Sequence, residues 1–448
     1  MSDWDPFSWR TKPNAQEIAY PDASSLERVI ARMRKLPPLV TSWEIERLRS
    51  QLAEAEEGKR FVLQGGDCAE SLDDCTPGSV TNKLKILLQM SLVLVHGLKK
   101  PVLRIGRFAG QYAKPRSSTT EVRNGVSLPS YYGDMINRSA FTIESRTPDP
   151  ELLLQGYFHA GLTINFVRSL VDGGFADLHH PEYWNLSFVR SAGLSQELRG
   201  EYERMCHNLA DGLRFMEALG EKTVDDLTRV EFFTSHEGLS LWYEAAQTRR
   251  VPRREGYYDL STHLPWVGER TRAIDGAHVE YFRGIRNPIG IKLSSNATAD
   301  ELVALAKVLN PSNERGKLVF ISRMGAANVQ RVLPSLLRAA LHHNLRGLWV
   351  CDPMHGNTRT TSTGIKTRNF SDILTELRAT HDVHRTEGVP TGGVHFELTG
   401  EDVTECVGGA TGLSEQDLAT NYVSQCDPRL NYQQSLEMAF LLAKGLGS

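Results

Sequence analysis

The chain has 448 residues, 40% of them hydrophobic and 23% charged, which is an ordinary globular balance with room for a barrel carrying insertions or for two domains. A formal net charge of −3 excludes a molecule that traps nucleic acid by bulk electrostatics, so an anionic ligand must be met by a local basic cluster. No apolar run approaches the ~18 residues a membrane helix needs, the start MSDWDPFSWR is not a signal peptide, and six cysteines are too few for a disulfide scaffold, so reduced thiols and a cytoplasmic location are expected.

Residues 1–55 form a distinct N-terminal extension, rich in Trp, Pro and charge: Trp4, Pro6, Trp9, Pro13, Pro21 and PPLV at 37–40. They read as an arm with one or two helices, packed on the body or on a neighbouring subunit. From 56 to 448 comes the main body. Eight short apolar runs punctuate it, each bounded by Gly, Pro or a polar turn: FVLQGG (61–66), PVLRIG (101–106), VEFFTS (230–235), YYDLSTHLPWV (257–267), PIGIKLS (288–294), KLVFIS (317–322), LWVCDP (348–353) and GGVHFEL (392–398). Helical patterns lie between them at 298–309, 327–341 and 371–384. Strands alternating with helices pair in parallel, and eight such units predict a closed (β/α)8 TIM barrel, with a doubly wound sheet as the alternative. The interval 107–228 is too long for one crossover. It holds amphipathic helices near 150–172 and 195–219, a helical insertion after the second strand of a kind that serves assembly or regulation.

In a barrel, chemistry collects at the C-terminal ends of the strands. Two sets of residues stand out there. Cys68, His355, Glu397 and Asp427 offer one sulfur, one imidazole and two carboxylates, a donor set suited to one divalent ion, Mn, Co, Fe or Zn. Taken singly, each is more often a core thiol or a structural imidazole; four at strand ends make a candidate metal site. Arg107, Lys114, Arg270, Lys292 and Arg323 form the second set. Long cations are costly to bury unpaired, so five of them imply phosphate or carboxylate on the substrate, weighed against a salt-bridge network with Glu269, Glu70 or Asp352. His236-Glu237 after the third run is either a structural hydrogen-bonding pair or a general acid/base. His179-His180 reads as a solvated turn, and Cys426 abuts a candidate ligand. No P-loop or complete GxGxxG is present.

The segments LQGGDCAES, GRFAGQYAKPRS, LPWVGERTR, GAHVEYFRGIRNPIGIK, SRMGA, CDPMHGN, GIKTR, GGVHFELTGEDVTECVGGA and QCDPRLNYQQSLEMAFLLA closely resemble the type II (plant-like) 3-deoxy-D-arabino-heptulosonate 7-phosphate (DAHP) synthases, over nearly the whole chain. The resemblance implies condensation of phosphoenolpyruvate with erythrose 4-phosphate and water to DAHP and phosphate, the first step of the shikimate pathway. The implied fold is a (β/α)8 barrel with an N-terminal extension and extra helices after strand two. It assigns the metal, Mn2+ or Co2+ ahead of Fe2+ or Zn2+, to Cys68, His355, Glu397 and Asp427. It assigns phosphoenolpyruvate to Arg107, Glu269, Lys292 and Arg323 with Trp266 nearby, and the aldose phosphate to Arg270 and Ser117. Lys114 and Lys366 line the same mouth. Catalytic roles fall to Lys292 and Glu269 beside the metal-holding Cys68 and His355, with the proton carrier left open among Glu269, a water and the Lys292 region. Homodimers or homotetramers, an aromatic inhibitor and a chorismate mutase partner are further implications. The chain departs from the family where Tyr132 replaces the Arg of Tyr-Arg-Gly-Asp and where Ser294-Ser295 replaces Gly-Pro. Two alternatives accompany this reading: an aminoDAHP synthase taking an imino sugar phosphate, and a non-catalytic regulatory paralogue.

Overall fold

A run of four to six apolar residues between turn formers has the length of a buried parallel strand, and eight of them close a circle. The computed structural model describes residues 4–173, 184–190, 193–218 and 231–447. The barrel strands are β1 (Phe61–Gly66), β2 (Val102–Arg107), β3 (Phe232–Glu237), β4 (Leu264–Val267), β5 (Ile289–Ser294), β6 (Leu318–Arg323), β7 (Leu348–Cys351) and β8 (Gly393–Glu397). Each pairs in parallel with its sequence neighbours, and β8 returns to β1 with Gly66 opposite Glu397. On its other side Gly66 lies opposite Arg107. The barrel anticipated from the sequence is therefore present.

One strand differs from its expected bounds. Only the last four residues of the 257–267 run enter the barrel. Tyr258–Asp259 instead pairs antiparallel with Thr248–Arg249, and the backbone N–H of Asp259 bonds Asn287. The polar Ser261-Thr262-His263 stretch makes the bend between them, with Ser261 held by Asp259 and Glu244.

The N-terminal extension carries α1 (Ala23–Met33) and α2 (Ser42–Glu56). Thr41 and Glu44 form a reciprocal capping box that starts α2, worth about 1 kcal/mol. Leu48, Leu52 and Ala55, spaced for one helical face, join Val62, Leu103, Leu264, Val319 and Leu348 in a single buried cluster. These partners lie in the N-terminal halves of their strands, so α2 plugs that end of the barrel and leaves the C-terminal mouth open. Trp4 donates to the Glu280 carbonyl, and Leu39 and Val40 both donate to Leu260, which fastens the arm to its own body.

After β1, α3 (Pro77–Leu98) packs on the barrel. After β2 come a hairpin, Thr120–Arg123 with Val126–Pro129, and the insertion helices α4 (Glu151–Asp172) and α5 (Gln196–Ala218). The hairpin carries no apolar run that would have announced it. His179-His180 lies outside the described residues. The remaining barrel helices are α6 (Leu241–Gln247), α7 (Ala277–Phe282), α8 (Ala299–Leu309), α9 (Val329–His342) and α10 (Phe370–Glu387), with α11 (Tyr432–Gly447) closing the chain against α3. Among the described residues no helix is long and apolar enough to cross a membrane.

Candidate active site

The strand ends converge on a pocket of about 430 Å3 at the C-terminal mouth, lined by Cys68, Arg107, Lys114, Ser117, Glu237, Trp266, Glu269, Arg270, Lys292, Arg323, His355, Lys366, Glu397 and Asp427 among others. All the site residues expected from the sequence therefore face one cavity. What each touches separates their roles.

Gly66 ends β1 at φ +143°, with its α-carbon pressed on the Arg107 backbone where a Cβ would collide. The chain leaves the strand there and delivers Cys68 to the pocket wall. The Cys68 Sγ lies 3.7 Å from Asp427 Oδ2 and 4.0 Å from Lys114 Nζ. Cys68 Sγ, a Glu397 oxygen and an Asp427 oxygen all fall within 4.8 Å of one another. His355 is not part of that mutually close trio, but its Nε2 lies 2.9 Å from Glu397 Oε1. Its Nδ1 lies 2.7 Å from Asp352 Oδ2. An ionised carboxylate only accepts, so Nδ1 donates to Asp352, and Nε2 is the nitrogen turned to Glu397 and the pocket. The donor set of one thiol, one imidazole and two carboxylates fits a divalent transition ion.

Electrostatics keep these groups ionised where burial alone would not. Burial pushes the Glu397 carboxyl up, but His355, Arg368 and Arg107 override it and hold the group well below the usual range. Arg107 Nη2 is 3.0 Å and Arg368 Nη1 2.7 Å from its two oxygens. Asp427 is likewise opposed by burial and lowered on balance by Lys114, Arg368 and Lys366, with Lys366 at 2.9 Å. The thiols of Cys68 and Cys426 are both free and hydrogen-bond each other. The bond from Cys68 and the nearby Lys114 lower Cys426 to about 7, while Cys68, donating to it beside Glu397 and Asp427, is raised.

The cation wall is buried more deeply than surface chemistry needs. Arg107 and Lys292 are 2% and 4% exposed, and both stand over the Trp266 ring. Lys292 pairs with Asp352, and its burial lowers its pKa to about 8. Arg323 lines the same pocket, and its buried Nε has no hydrogen-bond partner. Arg270 is exposed and donates to Ser117 Oγ at 2.8 Å. The salt-bridge network weighed from the sequence is realised in part, through Asp352 with Lys292, while Arg107 pairs with Glu397, which that network did not include. Glu269 is turned instead to Ser294 and Arg272, and Glu70 accepts from the backbone of Ala109, Gly110 and Gln111.

Of the His236-Glu237 pair, His236 is committed to Glu244 at 2.9 Å. Glu237 faces the pocket against Gly268, its Oε1 without a partner and its pKa raised by burial despite the surrounding cations. Asp352, weighed from the sequence only as a partner for the cations, also orients His355, while Arg368, which holds Glu397, and Asp67 and Arg429, which join the loops of Cys68 and Asp427, escaped the sequence reading. Arg368 lies inside the GIKTR segment and Asp352 inside CDPMHGN, so a local signal existed for those two.

A closed barrel whose mouth gathers buried cations and a sulfur–carboxylate cluster defines an enzyme acting on small anionic substrates. Residues 4–443 match the Class-II DAHP synthetase family, and the chain belongs to it. The curated relatives include a phospho-2-dehydro-3-deoxyheptonate aldolase of Neurospora crassa, 46% identical over 456 residues, covering 98% of this chain and 94% of the relative. A second protein of that name, from Streptomyces coelicolor, is 46% identical over 437 residues, covering 98% and 96%.

Proposed function

We propose that this pocket condenses phosphoenolpyruvate with erythrose 4-phosphate and water to give DAHP and inorganic phosphate, the first step of the shikimate pathway, with one divalent metal ion held by Cys68, His355, Glu397 and Asp427. The observation that carries the reading is the shared wall: buried Arg107 touches Glu397 of the ligand cluster and stands with Lys292 over Trp266. One substrate's anionic groups and the other's carbonyl can thereby meet in one cavity.

When bound, the divalent ion supplies Lewis acidity toward a carbonyl oxygen. The chain's own residues do the rest. Arg107, Lys292 and Arg323 bind the carboxylate and phosphate of phosphoenolpyruvate. Arg270 and Ser117, already joined to each other, receive the aldose phosphate. Lys114 and Lys366 hold Asp427 and add positive charge at the mouth. The C2–C3 π pair of phosphoenolpyruvate bonds C3 to the aldehyde carbon, whose oxygen takes a proton; water adds at C2 and gives up its protons, and the C2–O bond to phosphate breaks as C2 becomes a ketone. Glu237, raised by burial and free at Oε1, is suited to take or return the proton this sequence moves. Glu269 fixes the end of β5 through Ser294.

The test is a direct assay of phosphoenolpyruvate loss with erythrose 4-phosphate, other four-carbon aldose phosphates and an imino sugar phosphate. Each runs with and without chelator, followed by Mn2+ or Co2+ repletion. Turnover with erythrose 4-phosphate that chelator abolishes and metal restores is expected. Chelator-resistant turnover would remove the metal from the proposal, and preference for the imine would change the acceptor.

A further inference from the structure

Two donors, one of them a guanidinium, converge on one imidazole nitrogen beneath the pocket. Arg107 Nη1 lies 2.6 Å and Lys292 Nζ 2.8 Å from His395 Nε2. His395 is fully buried on β8, with the Trp266 ring edge-on at 5.3 Å. A guanidinium offers five N–H donors and no acceptor, and proteins do not deprotonate it. A nitrogen to which it donates cannot carry a proton of its own. The ring's hydrogen must therefore sit on Nδ1.

Across the β1–β8 ladder, His395 is the register partner of Gln64. Gln64 donates through Nε2 to Ser235 Oγ, and its Oε1, like His395 Nδ1, is buried with no hydrogen-bond partner. The contacts at Nε2 therefore assign the tautomer.

We infer that His395 is held as the Nδ1–H tautomer and is a positioning residue: its Nε2 lone pair is the shared acceptor that keeps Arg107 and Lys292 converged. Two like charges placed side by side repel, and more strongly away from water. The carboxylates nearby pull them apart, Arg107 toward Glu397 and Lys292 toward Asp352. Only a neutral acceptor between them draws both to one point without cancelling either charge. The consequence for phosphoenolpyruvate binding rests on the proposed function; the tautomer does not.

The test has two parts on the full-length protein. Long-range 1H–15N spectra of histidine-labelled protein read the tautomer directly, with His395 assigned by the signals lost in His395→Gln. A protonated Nδ1 beside an unprotonated Nε2 is expected. An Nε2–H or doubly protonated ring overturns the inference, whatever the variants do. For kinetics, His395→Gln can place an amide oxygen near the Nε2 position, whereas His395→Asn falls short of it. We expect KM for phosphoenolpyruvate to stay within about threefold in the Gln variant and to rise about tenfold or more in the Asn variant, with KM for the aldose phosphate little changed. Equal effects of Gln and Asn, or parallel rises in both KM values, overturn the positioning role. Should the Asn variant fail to fold, the wild-type spectrum still decides. A wild-type protein that shows the tautomer yet consumes no phosphoenolpyruvate refutes the proposed function and leaves the tautomer standing.

Discussion

Arg429 Nη1 lies 2.6 Å from Asp67 Oδ1, so the residue two places after Asp427 grips the residue just before Cys68. The pair belongs to a buried chain. Lys83 holds the other Asp67 oxygen at 2.7 Å, and Glu405 takes the far side of Arg429 at 2.8 Å. Two loops remote in sequence are thereby locked, and each carries a candidate metal ligand. Asp67→Asn would take from Lys83 the carboxylate it pairs with, leaving only Glu70 and Asp74 nearby, and would leave Arg429 to Glu405 alone. Breaking such a pair costs about 3–5 kcal/mol. The expected outcome is a lower melting temperature together with faster loss of metal to chelator, measured by thermal unfolding and competitive titration. Unchanged metal retention would mean the loops hold their register without this chain.

Cys68→Ser separates metal binding from folding. The sulfur sits at the pocket wall and makes no contact on which the barrel core depends; its neighbours are Asp427, Lys114 and Cys426. Serine keeps the volume approximately and removes the soft ligand. Bound metal and turnover should fall by an order of magnitude or more, while the melting temperature of the metal-free protein changes little. Full activity in this variant would sink the proposed ligand set.

The barrel was legible because each strand is an isolated apolar run. Cys68, His355 and Glu397 drew notice because they stand at or just past strand ends with suitable side chains, and Asp427 as a carboxylate in a later loop; the family resemblance is what joined the four into one expected ligand set. What escaped depends on distance in sequence. Asp67 and Arg429 are 362 residues apart, and nothing local marks either as the other's partner. His395 acts within the barrel, where the neighbours of a side chain follow from strand register and not from flanking residues, and Arg368 reaches Glu397 from the loop before α10. The plug made by α2 was half visible: Leu48, Leu52 and Ala55 mark an apolar face, but the face does not say that its partner is the barrel lumen. The 257–267 run misled because its polar centre, Ser261-Thr262-His263, makes a bend whose bonds go to Asp259 and Glu244.

Arg323 is the cation whose removal should be most selective. Its buried Nε has no hydrogen-bond partner, so little in the free protein depends on it. Arg323→Ala should raise KM for phosphoenolpyruvate by about ten- to a hundredfold, a loss of roughly 1.5–3 kcal/mol for a charged hydrogen bond. KM for the aldose phosphate should move far less, because Arg270 and Ser117 form a separate part of the mouth. Steady-state kinetics with each substrate varied in turn reads the ranking. The reverse order would mean the two substrates are exchanged in the pocket.

Lys292 predicts opposite responses of binding and stability to pH. Burial brings its pKa down from the usual 10.5 to about 8, against the pull of Asp352 and with the help of Arg107. The charged form holds the substrate anion, so kcat/KM for phosphoenolpyruvate should be level below pH 8 and fall by up to about tenfold per unit above it. Stability runs the other way. Between pH 8 and 10.5 the unfolded chain keeps this proton while the folded protein has released it. The unfolded state therefore binds more protons, and this group's contribution to unfolding free energy rises with pH across that window. Lys292→Arg keeps the charge at every accessible pH and should flatten the kinetic limb, whatever its absolute activity. Measuring kcat/KM from pH 6.5 to 9.5 alongside urea unfolding at the same values separates the two effects. If activity and stability decline together above pH 8, with the limb persisting in the Arg variant, then general loss of structure and not the charge on Lys292 sets the profile.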